Sequence, residues 1–510
     1  MERIFYNLDR KYKYTAMAVL ISGICAHGFM FTNKISFHDD IFSLFGCGAT
    51  IEAGRWALEI IVQVLRYTVG KYSMPVWTGV LTLLFIWASA CIIIDLVQIN
   101  NVNHCVLIGS LMTVFPAVTL TYLYMFTASC YFGALFLSVL SVWLLEKYRN
   151  IWGTITAIFC IAFSMGIYQA YFSVGISLIL FLFIIDVFRG RGKSVANTCR
   201  LILMQVVGLV VYFMILKISL VITGTELLSY QGMNSVFSYS VENRINRIVQ
   251  CYLDIYRNLT INEMGLVGNR IIRVMLAFCL FYSLIALLYF GRMITNRWEK
   301  IFYYGVFMIL PIGINLIYPM TTEESVIHPI MRYSMVFLWI LPILTIELYS
   351  DYGKKKSFLK INKFVEICIL ITIINYIYVA NIVYTKISFL QEQTNAYYTV
   401  LITQIKSCED YQDEMPVIFI GAGGIQDETF TVNDKYRTML TLATNDLKDW
   451  VNDYSYIRYM RYHCGFEPEI VGWDAVEGSY DEIRQMPNYP DYGSIKVIDN
   501  VVVVKMSEIE

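Results

Sequence analysis

Eleven long apolar stretches constrain this chain more than any other feature. A bilayer core about 30 Å thick is crossed by a helix of about 20 apolar residues. Runs near that length lie at 14–32, 73–97, 104–122, 126–145, 151–167, 168–188, 199–222, 270–290, 301–318, 331–349 and 363–385. The continuous run 151–188 is too long for one helix and divides at the polar pair Tyr168 and Gln169. Across 510 residues, 57% are hydrophobic and 15% charged, which excludes a soluble protein. A net charge of −1 leaves no basic face for nucleic acid. The sequence therefore predicts a polytopic, all-α membrane protein.

Basic residues sort the connections, because positive charge in short loops stays on the cytoplasmic side. Arg3, Arg10, Lys11 and Lys13 precede the first run. Lys147 and Arg149, then Arg189, Arg191 and Lys193, then Arg292, Arg297 and Lys300, then Lys354, Lys355, Lys356, Lys360 and Lys363 mark later connections of the same side. The expected N-terminus is cytoplasmic and the C-terminus extracytoplasmic. The first run is expected to stay as an anchor, since no small-residue cleavage site follows it.

Two domains are expected: a transmembrane domain over 1–385 and a small extracytoplasmic α/β domain over 386–510. In the second, Val417 to Gly424 reads as a buried strand entering a glycine turn, and Lys496 to Met506 as a hairpin with Asp499 and Asn500 at its tip. The glycines lack the full GxGxxG spacing, so a structural turn is the reading rather than a nucleotide loop. Most of the 12 cysteines lie in apolar runs, where a thiol behaves as a small hydrophobe. A bridge between Cys408 and Cys464 is left open. No metal-type spacing is evident.

Three external connections carry the polar candidates. After the first run comes FHDDIF, with His38, Asp39 and Asp40. Adjacent carboxylates repel one another, a property suited to proton transfer, although for the dipeptide alone a solvated loop start or a helix N-cap is the commoner reading. Next, GRWALEIIVQVLR spaces Arg55, Glu59, Gln63 and Arg66 on one helical face and Trp56, Ile60, Ile61, Val64 and Leu65 on another, which predicts an interfacial amphipathic helix. Arg55 alone would read as a snorkelling anchor.

The second connection holds an apolar stripe of Ile245, Ile248, Val249 and Tyr252 flanked by Arg244 and Arg247. It predicts a packed lid helix with solvated arginines, with phosphate binding as the sharper reading. The third, YPMTTEESVIHPIMR, collects Glu323, Glu324, His328 and Arg332 between two spans, which is costly unless they line a polar cavity.

An N-terminal span, the outer Asp pair of FHDDIF, GRW some fifteen residues on, and SMGIYQAYFS (Ser164 to Ser173) resemble the bacterial type II Gtr glucosyltransferases, integral membrane enzymes of the GT-C superfamily. The resemblance covers roughly residues 10 to 190. It implies a GT-C-like bundle that transfers a sugar, typically glucose, from a polyprenyl-phosphate donor such as undecaprenyl phosphate. The acceptor would be a cell-surface glycan: O-antigen, wall polysaccharide or teichoic acid. Asp39 or Asp40 would be the base of an inverting displacement, and Arg55, Arg244 and Arg332 would meet the phosphate. His38, Trp56, Glu59, Tyr168, Gln169, Glu323, Glu324 and His328 are further site candidates; no cofactor is required, and dependence on a divalent metal is left open. A lipid-linked polysaccharide flippase or polymerase is the alternative.

Overall fold

The computed structural model describes residues 8–44, 50–68, 73–190, 194–228, 241–261, 266–322, 325–352, 356–421 and 450–508. Glu323, Glu324, Cys47, Lys193 and the glycines of 422–424 lie outside the described residues. The helices, in chain order, are α1 (Arg10–Thr32), α2 (His38–Phe42), α3 (Trp56–Thr68), α4 (Pro75–Leu96), α5 (Val102–Val114), α6 (Pro116–Thr121) and α7 (Met125–Lys147). They continue with α8 (Ile151–Ile167), α9 (Phe172–Phe188), α10 (Ser194–Thr223), α11 (Val241–Thr260), α12 (Arg270–Met293), α13 (Arg297–Ile314), α14 (Phe337–Tyr352) and α15 (Lys356–Lys406), and end with the short α16 (Tyr456–Cys464) and α17 (Tyr480–Gln485). Three strands, β1 (Val417–Ile420), β2 (Ile495–Ile498) and β3 (Val501–Lys505), form one sheet.

Among the described residues, eight helical segments are long and apolar enough to cross a membrane, and Ile151–Ile167 is a shorter apolar helix. The chain is a membrane protein. Several expected runs take a different local form. Residues 104–122 do not make one helix: α5 stops at Phe115, whose extended ψ of 135° suits the residue before Pro116, and α6 starts on that proline. The run 151–188 breaks at Tyr168, which is extended (φ −155°, ψ 106°) and leads into a 3-10 turn over Gln169–Tyr171.

At the far end, α15 does not stop where the apolar run ends. No Gly or Pro interrupts Lys356–Lys406. Beyond the apolar run Ile387, Leu390, Thr394, Tyr398, Leu401 and Ile405 recur at helical spacing and are buried, so a core-facing stripe carries the helix on.

The chain divides into two compact units, one of residues 1–34 and 45–382, the other of 35–44 and 383–510. In the first, small residues let helices approach closely, as in membrane bundles. A Cβ on Gly23 would meet Leu83 of α4 at 2.5 Å, and one on Gly208 of α10 would meet Ile161 of α8 at 2.5 Å. The start of α5 is held by Glu347, whose Oε1 accepts from the Asn100 and Asn101 amides at 2.6 and 3.1 Å while Oε2 meets His104 Nδ1 at 2.5 Å.

In the second unit β3 is central, parallel to β1 and antiparallel to β2. The β2–β3 hairpin turns at Asp499 and Asn500, both at positive φ (51° and 62°), as a two-residue type I′ turn demands. Ile418, Ile420, Ile483, Ile498, Val501 and Val503 make its core. Cys408 and Cys464 are both free thiols.

Candidate active site

The GRW segment and the break at Tyr168 meet in the first unit. Gly166 lies under α3: a Cβ there would come within 2.7 Å of the Trp56 ring and 2.9 Å of the Ala57 methyl. Trp56 is buried with its ring edge-on to Phe163, 5.0 Å away. The chain before α3 is tied to the break by Gln169, which donates to the Ala53 carbonyl at 3.1 Å and to the Tyr212 hydroxyl at 3.2 Å. That hydroxyl in turn donates to the Gly54 carbonyl at 3.0 Å.

Arg55 is thereby fixed 5.8 Å from the ring centres of both Tyr131 and Tyr168, which stack on each other at 4.1 Å. Cation–π contact needs such a separation. Glu59 has both oxygens engaged, by Thr50 at 2.6 Å and by Gln63, so it braces this turn. The apolar residues Ile60, Val64 and Leu65 of α3 are exposed, as an interfacial helix requires.

The same break reaches a second arginine. Ser173 donates to Ser334 at 3.0 Å, and Tyr171 stands edge-on to Tyr333 at 5.8 Å. Both partners lie in a 3-10 segment, Pro329–Val336, that departs from helical geometry at Arg332 (φ −117°, ψ 28°). Ser334 also donates to the Ile314 carbonyl at 2.5 Å and Tyr333 to the Met112 carbonyl at 2.7 Å, which pins the backbone on each side of the kink.

Arg332 is fully buried and ion-paired to Asp254 of α11. The Asp254 carboxylate also accepts from Tyr318 at 2.9 Å, Asn315 at 3.1 Å and Asn258 at 3.2 Å. Arg332 Nε and Nη1 have no hydrogen-bond partner among the described residues. A buried guanidinium left with open donors is costly and equipped to receive an anion. His328 is half-buried directly before this segment.

α11 corrects the lid-helix expectation. Its stripe of Ile245, Ile248, Val249 and Tyr252 is exposed, while Arg247, Cys251, Asp254 and Asn258 are buried. Arg247 is therefore not a solvated flank: its guanidinium reaches Thr321 Oγ1 at 3.2 Å and lies 5.6 Å from the Tyr318 ring. Arg244, the arginine singled out from sequence, is exposed. The helix thus turns its polar stripe inward and its apolar stripe outward. Burial pushes the Cys251 thiol up to about 12, which keeps it neutral in this cluster.

The acidic pair belongs to the second unit. It opens α2, where Asp40 is fully buried but the Asp39 side chain is 41% exposed. Tyr454 donates to Asp39 Oδ1 at 2.6 Å, and His38 Nε2 is 3.6 Å from the same oxygen. The His38 ring lies edge-on to Tyr454 at 5.7 Å, and Arg458 of α16 covers the Phe42 ring at 3.8 Å while donating to its carbonyl.

A family model described as glucosyl transferase GtrII matches residues 28–346. The chain belongs to the GtrII glucosyltransferase family. No curated protein and no solved structure matches it. The GtrII match spans FHDDIF, GRW, SMGIYQAYFS, Asp254 and Arg332, and so includes every residue of the two arginine clusters. Among the described residues no group of three or more His, Cys, Asp or Glu is arranged to hold a metal ion.

Sequence reasoning missed Asp254, Tyr454 and Arg458. For Asp254 a signal existed, because Arg247, Cys251, Asp254 and Asn258 recur at helical spacing and define a polar stripe opposite the apolar one. Tyr454 and Arg458 meet residues more than 400 positions away, and no local pattern reports that.

Proposed function

We propose that this glucosyltransferase takes glucose from a polyprenyl-phosphate donor and passes it, with inversion, to a glycan hydroxyl on the outer face of the bacterial inner membrane. Its fold would be GT-C-like, and no cofactor is called upon. One observation carries the reading: a single stretch, Tyr168 to Ser173, running from the break into the first turn of α9, bears on both the Arg55 cluster and the kinked segment that holds Arg332. Two oriented guanidinium groups, one at the entry to α3 and one at the kink before α14, suit a reaction whose leaving group is a lipid phosphate.

In that reaction the acceptor oxygen attacks the anomeric carbon while the bond from that carbon to the phosphate oxygen breaks. The hydroxyl proton goes to a carboxylate, and the negative charge that grows on the phosphate meets arginine. Asp39 is the base in this scheme. It is partly open to solvent and, among the described residues, its side-chain contacts fall on Oδ1, which leaves Oδ2 for the acceptor, whereas Asp40 is buried. Arg55 and Arg332 are the phosphate-binding candidates; Arg244, being exposed, is assigned at most to the donor's approach.

The test is glucosyl transfer by the purified protein from radiolabelled polyprenyl-phosphate glucose to a surface glycan. Asp39→Asn should lower the rate about 10²- to 10⁴-fold with the protein still folded. Asp40→Asn should act mainly by lowering thermal stability. Wild-type turnover in Asp39→Asn would reject the base assignment, and no transfer by the wild type would reject the donor.

A further inference from the structure

The acidic turn α2 is held by chain that the family match does not reach. That match ends at residue 346, whereas α2 and the residues before it are contacted by residues 450–458 and by the later half of α15, all within the second unit. The Phe37 ring lies 5.7 Å from Trp450, and the Ser36 amide donates to Gln391 Oε1 of α15 at 3.4 Å. At the other end of α2, Arg458 covers the Phe42 ring and donates to the Phe42 carbonyl. α16, which carries Arg458, is itself tied to α15, because Tyr459 donates to Asn395 Oδ1 at 2.7 Å.

Tyr454 stands between these two ties. Its ring is edge-on to His38 at 5.7 Å and to Phe42 at 5.6 Å, and its hydroxyl donates to Asp39 Oδ1 at 2.6 Å. A phenylalanine would make the same ring contacts; only the hydroxyl reaches the carboxylate. We propose that Tyr454 is a positioning residue for glucosyl transfer, whose hydroxyl fixes Asp39 Oδ1 and so leaves Oδ2 as the oxygen that takes the acceptor's proton. This rests on the assignment of Asp39 as the base, made above, and extends the base's machinery to the C-terminal segment.

The physical need for such a residue lies in the aspartate itself. Its terminal torsion is broad and roughly two-fold, and a side chain 41% exposed has little packing to narrow it. One short hydrogen bond to a carboxylate oxygen removes that freedom. Misplacing a reacting group by about 1 Å costs about 10²-fold in rate, so an unheld base is a slow one. In the transfer step the Tyr454 proton stays on its own oxygen. The acceptor's proton passes to Oδ2 as the acceptor oxygen bonds to the anomeric carbon and the phosphate oxygen leaves with the bonding pair.

The experiment measures glucosyl transfer by the full chain in nanodiscs, from polyprenyl-phosphate glucose to the surface glycan, over a double-mutant cycle of Tyr454→Phe and Asp39→Asn. Tyr454→Phe keeps the ring between His38 and Phe42, so its unfolding midpoint should match the wild type. Its kcat should fall about tenfold with KM for donor and acceptor unchanged. Combined with Asp39→Asn, the same substitution should change the residual rate by less than about twofold, because the hydroxyl acts through that carboxylate. Tyr492→Phe, at a fully exposed tyrosine of the same unit, is the control and should keep the wild-type kcat.

A wild-type kcat in Tyr454→Phe overturns the proposal. So does a loss of equal size with and without Asp39→Asn, since the hydroxyl would then act through some other contact. The two readings fail separately. A slow Asp39→Asn beside a wild-type Tyr454→Phe keeps the base and removes only the positioning role. A wild-type rate in Asp39→Asn rejects the base, and the positioning role with it.

Discussion

Arg55 is the side chain whose chemistry separates most cleanly from its placement. It sits half-buried beside two stacked tyrosines, with the backbone before it held by Gln169 and Tyr212. An arginine that merely anchors a helix at the headgroup level is replaceable by lysine, since both carry the charge and both reach. An arginine that meets a phosphate through a planar fork is not, because lysine cannot reproduce two parallel hydrogen bonds or pack its cation against two rings in the same way. Arg55→Lys is therefore expected to lower turnover about 10²- to 10³-fold at saturating donor with unchanged protein abundance. A wild-type rate in that variant would leave Arg55 as an anchor.

At the scale of elements, the contact of α3 with α8 depends on the missing side chain at Gly166. Gly166→Ala pushes a methyl against the Trp56 ring and the Ala57 methyl, and overpacking of this kind costs about 1 to 3 kcal/mol. Gly305 in α13 is the control, because nothing lies within 4 Å of a Cβ placed there. Gly305→Ala should be neutral or stabilising by about 0.5 to 1 kcal/mol. Thermal unfolding in detergent should thus fall for Gly166→Ala and hold for Gly305→Ala; equal midpoints would remove the close-packing explanation. Elements of this kind were partly legible in advance. Apolar length and period predicted the bundle, the polar pair Tyr168 and Gln169 marked a real break, and Asp499–Asn500 marked a real hairpin. The inward face of α11 was misread because an apolar stripe was taken as the buried one, whereas the polar stripe is buried and Asp254 on it is ion-paired to Arg332. The pairing of Asp254 with Arg332 was not legible, since 78 residues separate them and each alone is an ordinary charged residue.

For the whole molecule, orientation decides whether the proposed chemistry has access to its acceptor. The basic residues at Lys147 and Arg149, at Arg189, and at Arg292, Arg297 and Lys300 all fall in connections of one side if the helices alternate, and short loops of that composition stay cytoplasmic. The segment after α15 then lies outside. Because α15 continues as a helix to Lys406, well past its apolar part, a topology reporter must be joined beyond that point rather than at the end of the hydrophobic run. Alkaline phosphatase, which folds only outside the cytoplasm because it needs its disulfides, should be active when fused after Ser407 and inactive when fused after Gly190. A cytoplasmic reporter such as a fluorescent protein should give the opposite pattern at the two sites. Activity of the phosphatase at Gly190 would invert the orientation and place the transfer reaction on the cytoplasmic face. An inactive Ser407 fusion with Gly190 also inactive would mean an even number of crossings between them and the N-terminus, and would rule out an extracytoplasmic C-terminal segment.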